Sequence, residues 1–586
     1  MENNLSKLKK FCEKKKIDGY ILTTFDEYLN EYVPETKKRI KFLTNFSGSN
    51  GIFFFINKVF LFFTDGRYLI QAKKELPKNF KIFDIAKKNI FEWIHEKLKY
   101  QKYKIQLDSR INKIAFVERL SQTFKETKSK LIIGNSILVD QIIKKETKII
   151  TSKAFFLPKK YTGFSAKFKI KMLKKKLVGF DCLVITSPES VSWLLNIRGF
   201  DLMFTPLVLC RMIISIKGKD QLFINKTKMN KTSLKRLNKL GIQVIEEDNI
   251  DIEIKKISKN NKVLMDKDSP FYFFDLLKMN KLNFTLGIDP CKRLKAIKND
   301  IEISNSKRIH IIDGVALVKF FYWLSTKAQK NSFNEFEISK KLEQFRNQST
   351  EFKSLSFPTI SAVGSNGAII HYEPNKYDSK RLTQGKLFLC DSGAQYFGGT
   401  TDVTRTVLIG DKCYTNKIKE HYTNVLTGHI NISMAKFPMN TSGGQLDAMG
   451  RYALWQRGLD YNHGTGHGVG SYLSVHEGPQ SISKSIINEP LKKGMIISNE
   501  PGYYREGSFG IRIENLIFVK DSKYENFLEF ETLTMFPYER DLIDLSKLSR
   551  THIDWLNKYH KSVFQNLKKF LDTDTRKWLF EKTLPI

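Results

Sequence analysis

Cysteine is scarce in this sequence and never clustered. Six thiols in 586 residues (Cys12, Cys182, Cys210, Cys291, Cys390 and Cys413) form no CxxC pair. That pattern argues against a disulfide frame and for reduced, buried thiols in a cytoplasmic protein. Long apolar runs are missing as well. The most apolar stretch, GIFFFINKVFLFF from Gly51 to Phe63, is 13 residues long and Asn57-Lys58 interrupts it. It is too short to cross a bilayer and reads as two strands joined by an Asn-Lys turn. The opening MENNLSKLKKFCEKKK lacks the apolar core of a secretory signal, so no membrane partner is expected. A nucleotide-phosphate loop is absent too, since SGSNG after Phe46 has neither GxGxxG spacing nor a following lysine. Acidic residues are in deficit: 98 Lys and Arg against 61 Asp and Glu leave a net charge of +37. Such an excess is compatible with a polyanion partner. However, lysine outnumbers arginine roughly four to one and is spread over the whole length, whereas phosphate readers favour the arginine fork. We read the excess as a solvated, compositionally biased surface and expect no nucleic-acid partner.

What is present is enough for several cores. The chain is too long for one hydrophobic core, and 41% of it is hydrophobic. Residues 1–157 alternate helical and strand patterns. A basic helix over Leu5–Lys16 precedes a strand at Gly19–Thr24, the Phe-rich hairpin, and a helix over Tyr68–Glu75. The periodicity breaks at Leu157-Pro158-Lys159-Lys160. Residues 158–297 repeat the alternation, with a helix over Ala166–Leu177, a strand at Cys182–Thr186, a helix over Ser187–Asn196 and a strand at Leu207–Ile216. Two α/β domains of similar size in series suggest a duplicated module, but their sequences are too different to claim a repeat. The third segment, 298–586, opens with long helices over Asp300–Ser325 and Phe333–Asn347. Extended segments follow, and two helices close the chain at Lys547–Tyr559 and Val563–Leu571 as a cap or interface element. The fold class is therefore α/β followed by α+β.

The chemistry concentrates between Leu387 and Glu514. Leu387–Tyr396 and Thr400–Ile409 read as a hairpin that brings Asp391 and Asp402 together. Aspartate is disfavoured inside strands, and Asp391 follows the apolar LFLC, so burial with a partner is expected. His463 and His467 stand four apart in NHGTGHGVG. Glycines at 464, 466, 468 and 470 argue against a helix and for a strand or tight loop near a ligand. Glu500 ends an extended run before Pro501-Gly502. In Gly510–Val519 the two-residue period puts Arg512 and Glu514 on one face, where Arg512 could orient Glu514, hold substrate, or form a plain surface ion pair. His371 in GAIIHYEP and His476 in SVHEGP stand in similar strand-end contexts. One histidine with four carboxylates is an oxygen-rich set. It suits Mn²⁺ or a similar divalent ion better than a structural zinc, and it is large enough to hold two ions.

These motifs in this order, HYEP, DSGAQYFGGTTDVTRT, HGTGHG, HEGP and EPGYY, resemble the pita-bread metallopeptidases, and within them aminopeptidase P in its long three-domain form. SFPTISAVGSNGAIIHY, EYVPETKKRIKFLTNFSGSNG, TDGRYLIQA, SVSWLLNIRG and DWLNKYH extend the resemblance nearly end to end. It implies two creatinase-like α/β domains, 1–157 and 158–297, before a pita-bread catalytic domain with a helical extension, 298–586. It implies a homodimer and two metal ions, Mn²⁺ foremost with Zn²⁺ or Co²⁺ as alternatives. Their ligands would be Asp391, a bridging Asp402, His467, Glu500 and Glu514. The substrates would be peptides with an Xaa-Pro N-terminus, attacked at the Xaa-Pro carbonyl by a hydroxide bridging the metals. Glu500 would shuttle a proton to the leaving nitrogen. His476 and His371 would stabilise the oxyanion or hold the carbonyl, and His463 and Arg512 would shape the substrate site. Asn499 stands where relatives often have Asp, with no expected loss of chemistry. The rival readings are a prolidase, whose chains have a single domain before the catalytic one, and a non-catalytic pita-bread module that binds nucleic acid or protein.

Overall fold

The computed structural model describes residues 2–143, 152–328, 332–410, 415–485 and 489–586, so Cys413 lies outside the described residues. The chain forms two compact units: Met1–Leu157 with Phe164–Lys292, and Pro158–Gly163 with Arg293–Ile586.

The first unit contains two six-stranded sheets. The strands of the first are Gly19–Thr23, Ile52–Ile56, Val59–Thr64, Phe80–Asp84, Lys104–Asp108 and Lys130–Gly134. Counted along the chain, they stand in the order four-three-two-one-five-six. The hairpin forms where the Phe-rich run predicts it. Asn57 and Lys58 take φ of 41° and 67°, the left-handed pair that a two-residue turn needs to follow the strand twist. The second sheet uses Cys182–Ile185, Cys210–Ser215, Asp220–Ile224, Ile242–Ile245, Lys262–Asp266 and Asn283–Gly287. Its order along the chain is the same, four-three-two-one-five-six. In both sheets the first three strands pair antiparallel and the other neighbours parallel. The repetition that the residues hide is explicit in the topology.

The second unit builds the site. Asp300–Thr326 is a 27-residue helix with a capping box from Asn299 and Glu302. By length and composition it could cross a bilayer, but it packs as a core helix, with 61% of its most apolar window buried inside the protein. Helix Glu335–Arg346 follows. Strand Leu387–Ser392 then runs antiparallel between Ile360–Val363 and Val403–Leu408. In a six-stranded sheet Ile496–Asn499 lies between Gly466–Gly468 and Asn515–Asp521. Two expected long strands are each interrupted. The first hairpin ladder breaks at Gly393 and again at Thr401-Asp402. The run from Gly510 breaks at Ile513-Glu514, where the chain leaves one sheet and enters another. The C-terminal helices also differ from expectation. No Gly or Pro separates Tyr559 from Val563, so one helix, Arg550–Leu567, continues through both, and Thr573–Lys582 forms a further one. Leu556, Tyr559, Val563 and Leu567 bury their stripe in the main core.

Helices Asn416–Met434 and Gly443–Trp455 cross at two glycines. A Cβ on Gly428 would lie 2.1 Å from the Gly450 carbonyl oxygen, which as backbone cannot swing aside. Gly428→Ala is expected to cost about 1–3 kcal/mol through forced separation of the helices. Thermal unfolding of the metal-loaded protein would read this as a lower Tm.

Candidate metal centre

Two of the three strand interruptions place a carboxylate, Asp402 in one and Glu514 in the other. Asp391 sits inside a ladder, opposite Ile360 on one side and Thr404 on the other. Asp402 falls in the gap before Val403–Leu408, so the strict up-down alternation does not fix its side chain. Glu514 falls in the gap between Phe509–Arg512 and Asn515–Asp521, and its N–H donates to the Thr404 carbonyl at 3.1 Å. Glu500 ends Ile496–Asn499, and its N–H donates to the Thr465 carbonyl at 2.7 Å. His467 is the middle residue of Gly466–Gly468. Gly466 is required there, because a Cβ would stand 1.9 Å from the Ser498 carbonyl oxygen.

These placements converge. Single donor atoms of Asp402, His467 and Glu514 all lie within 4.8 Å of one another. His467 Nε2 is 3.6 Å from Asp402 Oδ2 and 3.5 Å from Glu500 Oε1. The His467 Nδ1–H is directed to the Gly468 carbonyl at 2.9 Å, which turns Nε2 toward the carboxylates. Asp391 joins electrostatically. Burial comes first in raising the carboxyls of Asp402, Glu500 and Glu514, and the Asp391 charge adds to each. Asp402 and Glu514 are held well above the ordinary carboxylate range, and Glu500 is pushed up to about 7. Like charges this close in a dry site cannot all ionise unless cations join them.

The residues fit a pair of divalent metal ions. Oδ1 of Asp391 is buried and accepts no hydrogen bond. A buried carboxylate oxygen in that state is short of a cation, and four carboxylates with one imidazole form a hard donor set.

Arg512 is the cation that the protein itself supplies. It is buried at 2% exposure, so the surface ion pair is excluded. Its Nη2 donates to Asp391 Oδ2 at 2.6 Å. Nε donates to Thr404 Oγ1 at 3.2 Å, and that hydroxyl donates to Glu514 Oε2 at 2.6 Å. Arg512 therefore reaches Glu514 only through Thr404, and its direct carboxylate partner is Asp391. Nη1 donates to Tyr504 Oη at 2.8 Å, and Tyr504 Oη lies 2.8 Å from His463 Nε2. His463 is thereby tied to the cluster, with Nδ1 3.9 Å from Glu500 Oε2. His476 packs edge-on to His467, ring centroids 4.5 Å apart, and its charge opposes the rise at Glu500. His371 lies half-buried in the segment after Gly364–Ala368.

Three contributors escaped sequence reasoning. Thr404 and Tyr504 sit inside quoted motifs, TTDVTRT and EPGYY, but carry no charge to draw attention. Arg405 is fully buried and donates to the carbonyls of Glu514, Thr404, Phe536 and Pro537 and to Asn515 Oδ1. It also reaches Tyr559 Oη on the C-terminal helix at 3.3 Å. A lone arginine in a strand gives no hint of such distant partners.

Comparison with known proteins agrees with this architecture. The model described as metallopeptidase family M24 matches residues 304–521, and the C-terminal region of that peptidase matches 526–586. Creatinase/prolidase N-terminal domain models match 4–139 and 144–302. Xaa-Pro aminopeptidase 1 of Dictyostelium discoideum is 36% identical, covering 100% of this chain and 97% of its own. Aminopeptidase P1 of Arabidopsis thaliana is 34% identical, covering 97% of each. Among solved structures, the X-prolyl aminopeptidase of Caenorhabditis elegans, described as a cytosolic enzyme with a di-nuclear active site, superposes with a TM-score of 0.94 at 31% identity over 100% of both chains. An Xaa-Pro dipeptidase from Bacillus anthracis, 25% identical with a TM-score of 0.51, covers 64% of this chain and 99% of its own. The chain belongs to the Xaa-Pro aminopeptidases, the aminopeptidase P group of metallopeptidase family M24.

Proposed function

We propose that the protein is a two-metal exopeptidase that releases the N-terminal residue from peptides with proline in the second position. The observation that carries this reading is the cluster of Asp402, His467 and Glu514, with Glu500 beside His467 and the buried Asp391 Oδ1 accepting no hydrogen bond. Asp391, Asp402, His467, Glu500 and Glu514 would hold two divalent cations, Asp402 shared between them. Manganese suits the oxygen-rich set, with zinc and cobalt as alternatives. Bound there, such ions supply a nucleophile at neutral pH and Lewis acidity at the scissile carbonyl.

The chain's own groups do the rest. Glu500, raised by burial, is the group to accept a proton and return it to the leaving proline nitrogen. His476, beside His467 and Glu500, is assigned with His371 to the carbonyl oxygen as charge develops on it. His463, joined to Tyr504, shapes the space around proline. Arg512 is assigned to orient Asp391 directly and Glu514 through Thr404. With His463, Arg512 is also assigned to the substrate site. A dipeptidase is the weaker reading, since the Bacillus dipeptidase accounts for 64% of the chain and the aminopeptidase relatives for nearly all of it.

Two further elements belong to the proposal. A cytoplasmic location is supported by the five described cysteines, all buried within the fold. A homodimer is supported by Met449, Tyr452 and Trp455, exposed three residues apart on Gly443–Trp455, an apolar stripe that a second copy would cover. Glutamate at both Tyr452 and Trp455 is expected to convert the dimer to monomer in sedimentation velocity. An unchanged dimer would remove this face from the interface.

The deciding assay is hydrolysis of Arg-Pro-Pro against Ala-Pro, with and without Mn²⁺ and a chelator. Metal-dependent release of Arg with little dipeptide cleavage is expected; cleavage of the dipeptide alone would establish a prolidase instead. Asp402→Asn keeps the side-chain shape, and it is expected to lower turnover about 10³-fold with metal content below two ions per chain by elemental analysis. Near wild-type turnover would remove Asp402 from the bridging role.

Metal binding should also report the raised carboxyls. Without cations Asp402, Glu500 and Glu514 hold protons to unusually high pH, and cations must displace them. Affinity is therefore expected to weaken as pH falls through about 7, where Glu500 takes up its proton. Calorimetry in two buffers of different ionisation enthalpy should register net proton release; binding that is pH-independent and proton-neutral would contradict the buried-carboxylate account.

A further inference from the structure

Glu335 is a fully buried carboxylate, 0% exposed, at the first position of helix Glu335–Arg346. No Lys or Arg forms an ion pair with it among the described residues. Burying a lone carboxylate costs several kcal/mol unless hydrogen bonds saturate it. Here they do. Oε1 accepts from the Val363 N–H at 2.6 Å and from Asn366 Nδ2 at 3.0 Å. Oε2 accepts from Asn366 Nδ2 at 2.9 Å, from the Tyr372 hydroxyl at 2.7 Å and from the Lys380 N–H at 2.7 Å. The Glu335 N–H in turn donates to the Lys380 carbonyl at 2.9 Å.

The donors are not scattered. Val363 ends strand Ile360–Val363, where the chain leaves the sheet, and Lys380 lies where it returns beside the helix, with Arg381 bridged to Asn334. Asn366 and Tyr372 lie between them, and His371 is the neighbour of Tyr372. Three stretches of one excursion thus converge on one carboxyl group. Between Val363 and Leu387 the chain has no strand and only the short turn of helix Gly364–Ala368, so the excursion lacks a ladder of its own to fix it. Charge-assisted hydrogen bonds are short and directional, and four donor groups on two oxygens leave the carboxylate little freedom.

We propose that Glu335 is a positioning residue for peptide hydrolysis: it gathers both ends and the middle of the 363–380 excursion and thereby sets where His371 meets the substrate. The inference rests on the assignment of His371 to the scissile carbonyl. Glu335 touches no substrate atom and holds no metal; it acts through the backbone on either side of His371.

The test is a double-mutant cycle on the metal-loaded enzyme with Arg-Pro-Pro. Glu335→Gln turns one acceptor oxygen into an NH₂ group that meets N–H and O–H donors. It is expected to lower kcat about 10- to 100-fold, the effect of a misplaced catalytic group, with two metal ions per chain retained. In a His371→Ala background the same substitution is expected to change kcat by less than about threefold, because its effect passes through a side chain already removed. A general structural role would give equal losses in both backgrounds, and that result overturns the proposal, as does loss of metal or wild-type kcat in Glu335→Gln. Should Glu335→Gln fail to fold, Tyr372→Phe carries the same cycle, since it deletes one hydroxyl beside His371 and leaves the carboxylate in place. Wild-type activity of His371→Ala would instead refute the assignment of His371 itself, and a low activity with equal Glu335 losses would refute the positioning role alone.

Discussion

The structure depends on a concentration of negative charge in a place that water barely reaches. Asp402, Glu500 and Glu514 are brought together around the imidazole of His467, and burial with repulsion from one another and from Asp391 raises all three carboxyls far from their solution behaviour. Such a cluster is unstable as an assembly of free ions. Arg512 compensates part of it, with one nitrogen on Asp391 and another on the hydroxyl that serves Glu514. The remainder is the electrostatic demand that divalent cations meet. The same imbalance that would destabilise an ordinary core creates metal affinity here.

Holding the cluster needs rigid elements from far apart in the chain. Arg405 is the clearest case. From one strand it binds the carbonyls of Thr404 and Glu514, and with the same guanidinium it reaches Phe536, Pro537 and the Tyr559 hydroxyl. The C-terminal helix Arg550–Leu567 is therefore tied to the backbone of a proposed metal ligand. Its burial in the main core gives that tie mechanical meaning, because interiors at crystal density transmit displacement rather than absorb it. Glu335 makes comparable contacts with the 363–380 segment. In both cases a buried side chain with several hydrogen-bond partners ties down a segment outside the helices and strands.

Much of this was legible beforehand. The Asn-Lys hairpin, the helix beginning at Asp300 and the non-helical HGTGHG segment follow from local rules of turn, cap and glycine. The five proposed ligands stood out because carboxylates and histidine in apolar or Gly-rich contexts are rarely structural. Two of the errors share one cause. Strands from Thr400 to Ile409 and from Gly510 to Val519 read as continuous, because period-two alternation carries no mark of where a chain changes sheets. At those unmarked breaks Asp402 and Glu514 turn into the cluster. Tyr504, Thr404 and Arg405 went unnoticed because their partners lie 8 to 154 positions away.

The sequence by itself determined the inventory and the class. The motifs in their order carried the resemblance to the pita-bread metallopeptidases, and local periodicity marked the α/β alternation before them, because those signals are local and chemically distinctive. The tertiary structure decided the pairings. It made two dissimilar segments into sheets of identical strand order, since topology depends on which apolar faces meet and many sequences satisfy the same pattern. It gave Arg512 to Asp391 rather than to Glu514 two residues away, and it gave Glu335 to the excursion that carries His371. Hydrogen bonds and ion pairs are selected by distance in space, and the sequence specifies that distance only through the folded chain.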